Sequence, residues 1–381
     1  MAKAKKVARK EGQALMSMTP ALQAAIASLQ KENGIESIVV LGDVDGHTWH
    51  GKTISTRCIT LDKALGIIKK DGDEFTYGLP GGRVVEVQGG EGSGKTTLCN
   101  GIVACAQEQG GTCAIIDMEH SWDGDYASKL GVDLDKLIFA QPANAELALN
   151  MIEALARTGD VDVIVLDSVA ALVPKAEIEG EVGASHMGLQ ARLMSQFLRK
   201  MVGILSKSNT CLIMTNQYRE KIGIVFGDPR TTPGGNALKY YASIRMEIKV
   251  TAKLKDEAGE VIGNRCQVKI IKNKIAPPFK CAEFDMIHGT GIDRHGAVLD
   301  AGVDVGVIAK KGAWYAYCGE NLACGRAASV ALLKSNDIMF KAITKEVINK
   351  IYEEKNGISE KVIEVVTNPE EQLIGTTPDG V

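Results

Sequence analysis

Residues 89–97 read GGEGSGKTT, with Gly89, Gly90, Gly92 and Gly94 around Glu91 and Ser93, followed by Lys95, Thr96 and Thr97. Glycines let successive backbone N–H groups turn inward on an anion, and a lysine adds a point charge for the β/γ-phosphates. A hydroxyl at the next position can hold Mg²⁺. The chemistry this spacing supports is nucleoside triphosphate binding, with ATP and Mg²⁺ as the expected ligands. Two carboxylates could act on that triphosphate. Asp167 ends the apolar run DVIVLD, where a carboxylate can hold Mg²⁺ through water; capping of a strand-to-helix turn is the alternative. Glu119 stands two residues beyond TCAIID, where it could accept a proton from water attacking the γ-phosphate; a solvated loop glutamate is the plainer reading.

These groups need a scaffold. The loop lies between RVVEVQ and LCNGIVACAQEQ, a strand-like and a helix-like run, so the helix would aim its positive end at the phosphates. From Leu61 to Asp293 the chain repeats strand, turn and helix, which predicts an α/β fold with a mainly parallel twisted sheet flanked by helices. Expected strands are RVVEVQ (83–88), TCAIID (112–117), DVIVLD (162–167), TCLIMT (210–215), SIRMEIKV (243–250) and QVKIIKNK (267–274). The first four are nearly continuous apolar runs ending in polar residues, so one crevice at their carboxyl ends should gather the glycine loop, Asp117 with Glu119, Asp167 with Ser168, and Asn216 with Gln217.

The organisation expected along the chain is a basic, flexible tail over 1–20, a helix and strand over 21–57 (PALQAAIASLQKEN, then SIVVLG), a core over 58–293, a small α+β domain over 294–366 and a disordered tail over 367–381. The helix and strand of 21–57 cannot enclose a core and must pack on their own chain or on a neighbour. The basic tail reads as solvated, with a DNA-touching arm as the sharper alternative. Hydrophobic content of 45% and charged content of 24% suit a globular protein; a net charge of −3 gives no global basic footprint, so nucleic-acid contacts must be local. No apolar run reaches membrane-spanning length and no signal-peptide pattern opens the chain, so the expected compartment is cytoplasmic. Nine scattered cysteines without a CxxC pair read as buried thiols rather than disulfides or a zinc site.

The stretches VVEVQGGEGSGKTT, IIDMEHSWDGDYASKLGVD, VDVIVLDSVAALVPKAEIEGEVGASHMGLQARLMSQ, NQYREKIGIVFGDPRTTPGGNALKYYASIR and VKIIKNKIAPPFKCAEF together resemble the bacterial RecA recombinases, from about Ala21 to Tyr317. The resemblance implies a RecA-like ATPase core, DNA-stimulated ATP hydrolysis, helical filaments on single-stranded DNA and strand exchange with a homologous duplex held at a secondary site, in recombination, repair and the SOS response. It implies that Glu119 is the catalytic base, that Asp123 and Tyr126 contact adenine, and that Gln217 senses the γ-phosphate. Residues 177–188 then form a first DNA loop and 218–236 a second, with Met187, Arg219, Thr231, Thr232 and Asn236 among the DNA contacts and Gly234 and Gly235 offering N–H groups to phosphate; Ile222 and Phe226 fit a wedge against stacked bases or a plain hydrophobic anchor. Arg192, Ser195 and Arg199 share one helix face by spacing, which fits a solvated stripe as well as a DNA-backbone stripe; the likeness favours DNA. Lys272 and Lys274 would reach the γ-phosphate bound by an adjacent subunit, with Tyr240 at that junction. Repressor and mediator proteins are further candidate partners.

The sequence also departs from the family pattern. Residues 66–80 are longer than the usual linker before the loop, Val250 and Gln267 stand where arginines would serve the duplex site beside Lys249 and Lys269, and the end of the chain is only weakly acidic. Two other readings share the glycine loop: a ring-forming motor on DNA, and an ATP-switched scaffold that recruits partners.

Overall fold

The computed structural model describes residues 13–34, 37–41, 51–181, 188–220 and 230–357. The chain divides into two compact units, residues 1–51 and 52–381. In the first, α1 (Pro20–Asn33) has proline in its first turn, where the missing N–H costs no hydrogen bond. Gln30 Nε2 donates to the Ile38 carbonyl at 2.8 Å and ties the following residues back to the helix. The strand expected from SIVVLG does not appear in its described part, residues 37–41. A lone strand has no backbone partners within so short a unit. The basic run before Gln13 lies outside the described residues; Gln13–Met16 is a short helical turn.

The second unit is built on one nine-stranded sheet. Its strands are β1 (Val84–Gly89), β2 (Cys113–Asp117), β3 (Leu137–Ala140), β4 (Val163–Asp167), β5 (Cys211–Gln217), β6 (Ile244–Lys255), β7 (Val261–Asn273), β8 (Cys281–Ile287) and β9 (Gly291–Ile292), in the order β9-β8-β7-β6-β1-β5-β4-β2-β3. From β6 through β3 every pairing is parallel. The apolar runs of β1, β2 and β4 are buried along their whole length, as strands covered on both faces must be. The other side of the sheet differs from the expectation: β6, β7 and β8 are antiparallel, and β6 and β7 are longer than the sequence suggested. Their buried residues alternate over only part of their length, and the remainder is solvent-facing hairpin.

Helices α2 (Ile59–Leu65), α3 (Lys95–Glu108), α4 (Ala145–Thr158), α5 (Leu189–Ser208) and α6 (Ala237–Tyr241) accompany the sheet. Asn144 caps α4 through the Leu147 N–H, and Gly159, in the left-handed region, ends it. Ile152 from α4 and Met194, Leu198 and Met201 from α5 pack on Leu166, Leu212 and Met214 of the sheet, all buried. Each such side chain contributes about 1.5–3 kcal/mol of burial. Residues 66–80, longer than expected for a linker, fold as a hairpin of Ile68–Asp71 on Glu74–Tyr77.

After β9 come α7 (Arg294–Asp304), a three-stranded antiparallel sheet (Ile308–Lys311, Trp314–Tyr317, Glu320–Cys324), α8 (Arg326–Ser335) and α9 (Asp337–Asn356). Arg326 pairs with Asp300 at 2.8 Å and with Asp285 on β8 at 2.7 Å, joining this α+β segment to the large sheet. The end of the chain from residue 358, including the expected disordered tail, lies outside the described residues. Of the nine cysteines, six are buried and free, and Cys281, Cys318 and Cys324 are exposed rather than buried. Burial raises the Cys58 thiol to about 12, so it stays protonated. No described helix is long and apolar enough to cross a membrane.

Candidate functional site

Parallel strands end along one edge of the sheet, and the pairing sets how their ends align. Gly89 of β1 lies opposite Gln217 of β5, and Asp117 of β2 opposite Asp167 of β4. The four polar strand ends expected from the sequence are therefore brought together. The loop of Gly89, Gly90, Glu91, Gly92, Ser93 and Gly94 runs from β1 into α3, whose first residue is Lys95. Gly94 is left-handed at φ 92°, and a Cβ there would meet Met286 Sδ at 2.5 Å, so only glycine fits. Ser93 Oγ donates to the Gly90 carbonyl at 2.8 Å and closes the loop on itself. Lys95 Nζ donates to the carbonyls of Gly90 at 2.8 Å and Gly89 at 3.3 Å, so its ammonium spans the concavity. Burial lowers its pKa, while Asp167 and Glu119 oppose that shift and favour the charged form.

Thr96 Oγ1 donates to Asp167 Oδ2 at 2.7 Å, and Thr215 Oγ1 donates to Asp167 Oδ1 at 2.6 Å. Burial pushes the Asp167 carboxyl up and the two hydroxyl bonds pull it back. The Thr96 hydroxyl in the first turn of α3 and the Asp167 carboxylate at the end of β4 suit Mg²⁺, which takes oxygen ligands and keeps positions for phosphate and water. No group of three or more His, Cys, Asp or Glu side chains that could hold a metal ion occurs among the described residues.

Glu119 is exposed above these groups. Its Oε1 accepts from Gln217 Nε2 at 2.9 Å and from Ser168 Oγ. Its backbone N–H goes to Asp117 Oδ1 at 3.0 Å, and Asp117 Oδ2 also accepts from Trp122 N and Gln141 Nε2. Asp117 is thus a buried bracket for the 117–122 turn. Asp123 caps the short helix Gly124–Lys129 by accepting from Tyr126 N at 3.1 Å, and Tyr126 OH meets Thr97 Oγ1 at 3.1 Å. This places the two expected adenine contacts beside the start of α3.

On β5 the site continues toward the expected DNA segment. Asn216 Nδ2 donates to Glu86 Oε1 at 3.2 Å and to the Pro233 carbonyl at 3.3 Å. Glu86 is fully buried in β1 and pairs with Arg245 of β6 at 2.5 Å, and Arg245 also donates to Gln88 at 2.9 Å. Two-residue strands Arg219–Glu220 and Arg230–Thr231 pair antiparallel and form the neck of the second segment. Arg219 is exposed and Thr232 is buried. Gly234 donates its N–H to Gln190 Oε1 at 3.2 Å, so a phosphate taking this amide would displace Gln190. Gly235, also left-handed at φ 74°, lies against α5, where a Cβ would meet Ala191 Cβ at 2.9 Å; Asn236 opens α6 and is exposed. Arg192 and Arg199 stand exposed on α5 with Ser195 half-buried between them, and neither arginine has an ion-pair partner among the described residues. Met187, Ile222 and Phe226 lie outside the described residues.

Lys272 Nζ donates to the carbonyls of Lys239 at 2.7 Å and Tyr240 at 2.9 Å, and Lys274 Nζ reaches the Tyr240 carbonyl at 3.4 Å. Both ammonium groups therefore sit at the C-terminal end of α6 beside Tyr240, which is 72% exposed. They are not at this chain's own phosphate loop. Burial and the charge of Lys274 lower the Lys272 pKa. Glu86, Thr215 and Arg245 were not among the expected site residues. The one available signal was a carboxylate in the middle of RVVEVQ, where an all-buried strand has no place for an unpaired charge.

A glycine loop between β1 and α3, a strand-end carboxylate joined to the loop threonine and an exposed glutamate held by Gln217 and Ser168 define a P-loop nucleoside triphosphatase of the α/β class. The family model of the RecA N-terminal domain matches residues 20–293, and that of the RecA C-terminal domain matches residues 296–352. Similar curated proteins, each named Protein RecA, include one from Bifidobacterium breve, 52% identical over 331 residues, which cover 87% of this chain and 80% of the relative. Another, from Clostridium novyi (strain NT), is 51% identical over 336 residues, covering 88% of this chain and 91% of the relative. A third, from Heliobacterium modesticaldum, is 52% identical over 306 residues, or 80% and 85%. The chain belongs to the RecA family, whose members are ATP-dependent DNA recombinases.

Proposed function

We propose that this chain polymerises on single-stranded DNA as an ATP-bound helical filament, aligns a homologous duplex, exchanges strands and releases DNA after hydrolysis. The observation that carries this reading is the position of Gln217: its amide reaches Glu119 at 2.9 Å, while the backbone beyond it runs into the neck of the 218–236 segment. A γ-phosphate accepting from Gln217 Nε2 would draw the amide off Glu119 Oε1 and free that oxygen to accept the proton of the attacking water. The same displacement pulls on β5, where Asn216 holds the Pro233 carbonyl at the far side of the DNA segment. Triphosphate and DNA therefore bias one element, which is the requirement for coupling.

Lys95 and the loop amides would hold the β/γ-phosphates, with Thr96 and Asp167 holding Mg²⁺, the latter through water. Bound there, Mg²⁺ would neutralise charge on the β- and γ-oxygens. Lys272 and Lys274 belong to the phosphate site of the next subunit, where two cations would act as a trans clamp on the transferring group. Gln267 donates to Glu283 at 2.8 Å, while Lys249 and Lys269 stand exposed on this hairpin for a second duplex. Filament growth draws support from the sheet edge at β3, where Ile138 and Phe139 are exposed together with Leu134 and Leu147. In the N-terminal unit Leu22, Leu29, Val39 and Leu41 are likewise exposed. An unpaired apolar edge strand and a helix-bearing arm with unburied leucines are complementary between copies.

The test is electron microscopy and ATPase assay with single-stranded DNA, using the wild-type chain and Gln217→Ala. Filaments with ATP, and DNA-stimulated turnover that the variant loses while still binding ATP, are expected. Closed rings that unwind duplex, or DNA affinity that ignores the nucleotide state, would exclude this function.

A further inference from the structure

A cavity of about 380 Å³ opens between the first turns of α3, residues 129–131, the β8–β9 turn and the start of α7. It touches the phosphate-loop helix at Thr97, and its walls carry Arg57, Lys129, Arg294 and Lys334 against one carboxylate, Asp293. Glu108 pairs with Arg57 at 2.7 Å, and Lys334 stands 3.5 Å from Asp293 with its side chain 53% exposed. Lys129 and Arg294 have no ion-pair partner among the described residues. Burial lowers the Arg57 pKa, and the like charge of Arg294 adds to the shift against the pull of Glu108. The cavity thus holds cations in excess.

Its walls also own two orphaned atoms. Arg57 Nε and Asp293 Oδ1 are buried without a hydrogen-bond partner, and the Asp293 side chain is only 8% exposed. Leaving such an atom unpaired is costly, and structures retain it where water, an ion or a ligand completes it. Asp293 Oδ1 accepts no hydrogen bond and faces only the Lys334 ammonium at 3.5 Å; set among surplus cations, it calls for a ligand that has both a hydroxyl donor and an anionic group. A sugar phosphate is that ligand, since carboxylates recognise ribose hydroxyls and lysine or arginine recognises phosphate. The volume is within the range of small-ligand pockets, roughly 300–1,000 Å³.

We propose that this cavity is a second ligand site, separate from the phosphate loop, for a phosphorylated sugar: the phosphate lies among Lys129, Arg294 and Lys334, and a sugar hydroxyl donates to Asp293 Oδ1. The sugar phosphate can be free or part of a nucleotide. Isothermal titration of the full chain, with the phosphate loop saturated by ADP and Mg²⁺, separates the two sources by comparing ribose 5-phosphate with AMP. One saturable binding event per chain is expected for at least one of them. Arg294→Gln or Lys334→Gln should weaken it about tenfold, the loss of one charge-assisted bond. Lys334 is exposed, so its variant keeps the fold, which an unchanged melting temperature verifies. Asp293→Asn should weaken ribose 5-phosphate or AMP but not inorganic phosphate. The proposal fails if neither probe binds, if all three variants bind as wild type, or if binding occurs only when ADP is absent, because the cavity is then part of the ATP site.

Discussion

Glu119 Oε1 accepts from both Gln217 and Ser168, so in this arrangement the oxygen suited to take a proton is already engaged. Glu119→Gln keeps the shape of that contact and removes the base. Its turnover number with DNA should fall by about 10²–10⁴ while ATP binding changes little, as single-turnover hydrolysis and nucleotide titration would reveal; equal turnover would mean another group takes the proton. Asp62 makes a separate, pH-dependent contribution. Its carboxylate is buried and accepts from Ser55 at 2.7 Å and from Thr56 N and Oγ1 at 2.9 and 2.8 Å. Burial nevertheless raises its pKa to about 6, since those bonds offset only part of the desolvation. The folded state therefore binds this proton more tightly than the unfolded chain. The stability it contributes is complete below the unfolded value near 4 and is lost as pH rises through about 6, an effect on the order of 3 kcal/mol. Thermal melts of the chain and of Asp62→Asn should diverge in that window, with the variant showing the flatter profile.

At the level of elements, what the sequence revealed depended on the kind of signal. Continuous apolar runs read correctly as β1, β2, β4 and β5, because strands buried on both faces leave no room for polar residues. The shared direction of those strands places the polar ends at one edge, and the candidate site was legible on that account. Strand β3 was missed: LIFA is four residues long at the sheet edge, with its two middle residues exposed, and neither period nor burial marks it. Strands β8 and β9 were missed as well, and the direction of β7 was hidden, since antiparallel pairing is decided by turns such as 256–260 rather than by composition. The Glu86–Asn216–Arg245 link joins residues from three strands and has no local signature. The loop itself carries a testable geometry. Gly94→Ala forces an L-residue to φ 92° and drives Cβ into Met286. The left-handed strain alone costs about 1–2 kcal/mol, and relief by opening the loop would misalign its N–H groups. Nucleotide affinity should drop at least about tenfold with only a modest loss of melting temperature; unchanged ADP affinity would show that the loop amides do not cradle the phosphates.

Over the whole molecule, the trans clamp requires that one ATP be served by two subunits. Lys272 and Lys274 converge on the end of α6 beside exposed Tyr240, remote from this chain's own phosphate loop, and local geometry explains them equally well as caps on the last carbonyls of that short helix. Mutating them alone cannot separate the two roles, because a lost cap and a lost trans clamp both reduce turnover. Mixing does separate them. A heterologous, head-to-tail junction takes the loop from one copy and the lysines from the next. In a filament assembled from equal amounts of Glu119→Gln and Lys272→Ala/Lys274→Ala chains, some junctions combine the intact Glu119 of the lysine variant with the intact lysines of the glutamine variant. With random order this is about a quarter of all junctions. DNA-stimulated ATPase should therefore reappear on mixing two chains that are each inactive, and should vanish again when Ile138→Lys, a charge set on the exposed β3 edge, blocks assembly in both. If the lysines only cap α6, the mixture stays as inactive as its parts, and the trans assignment falls while the nucleotide site on each protomer stands.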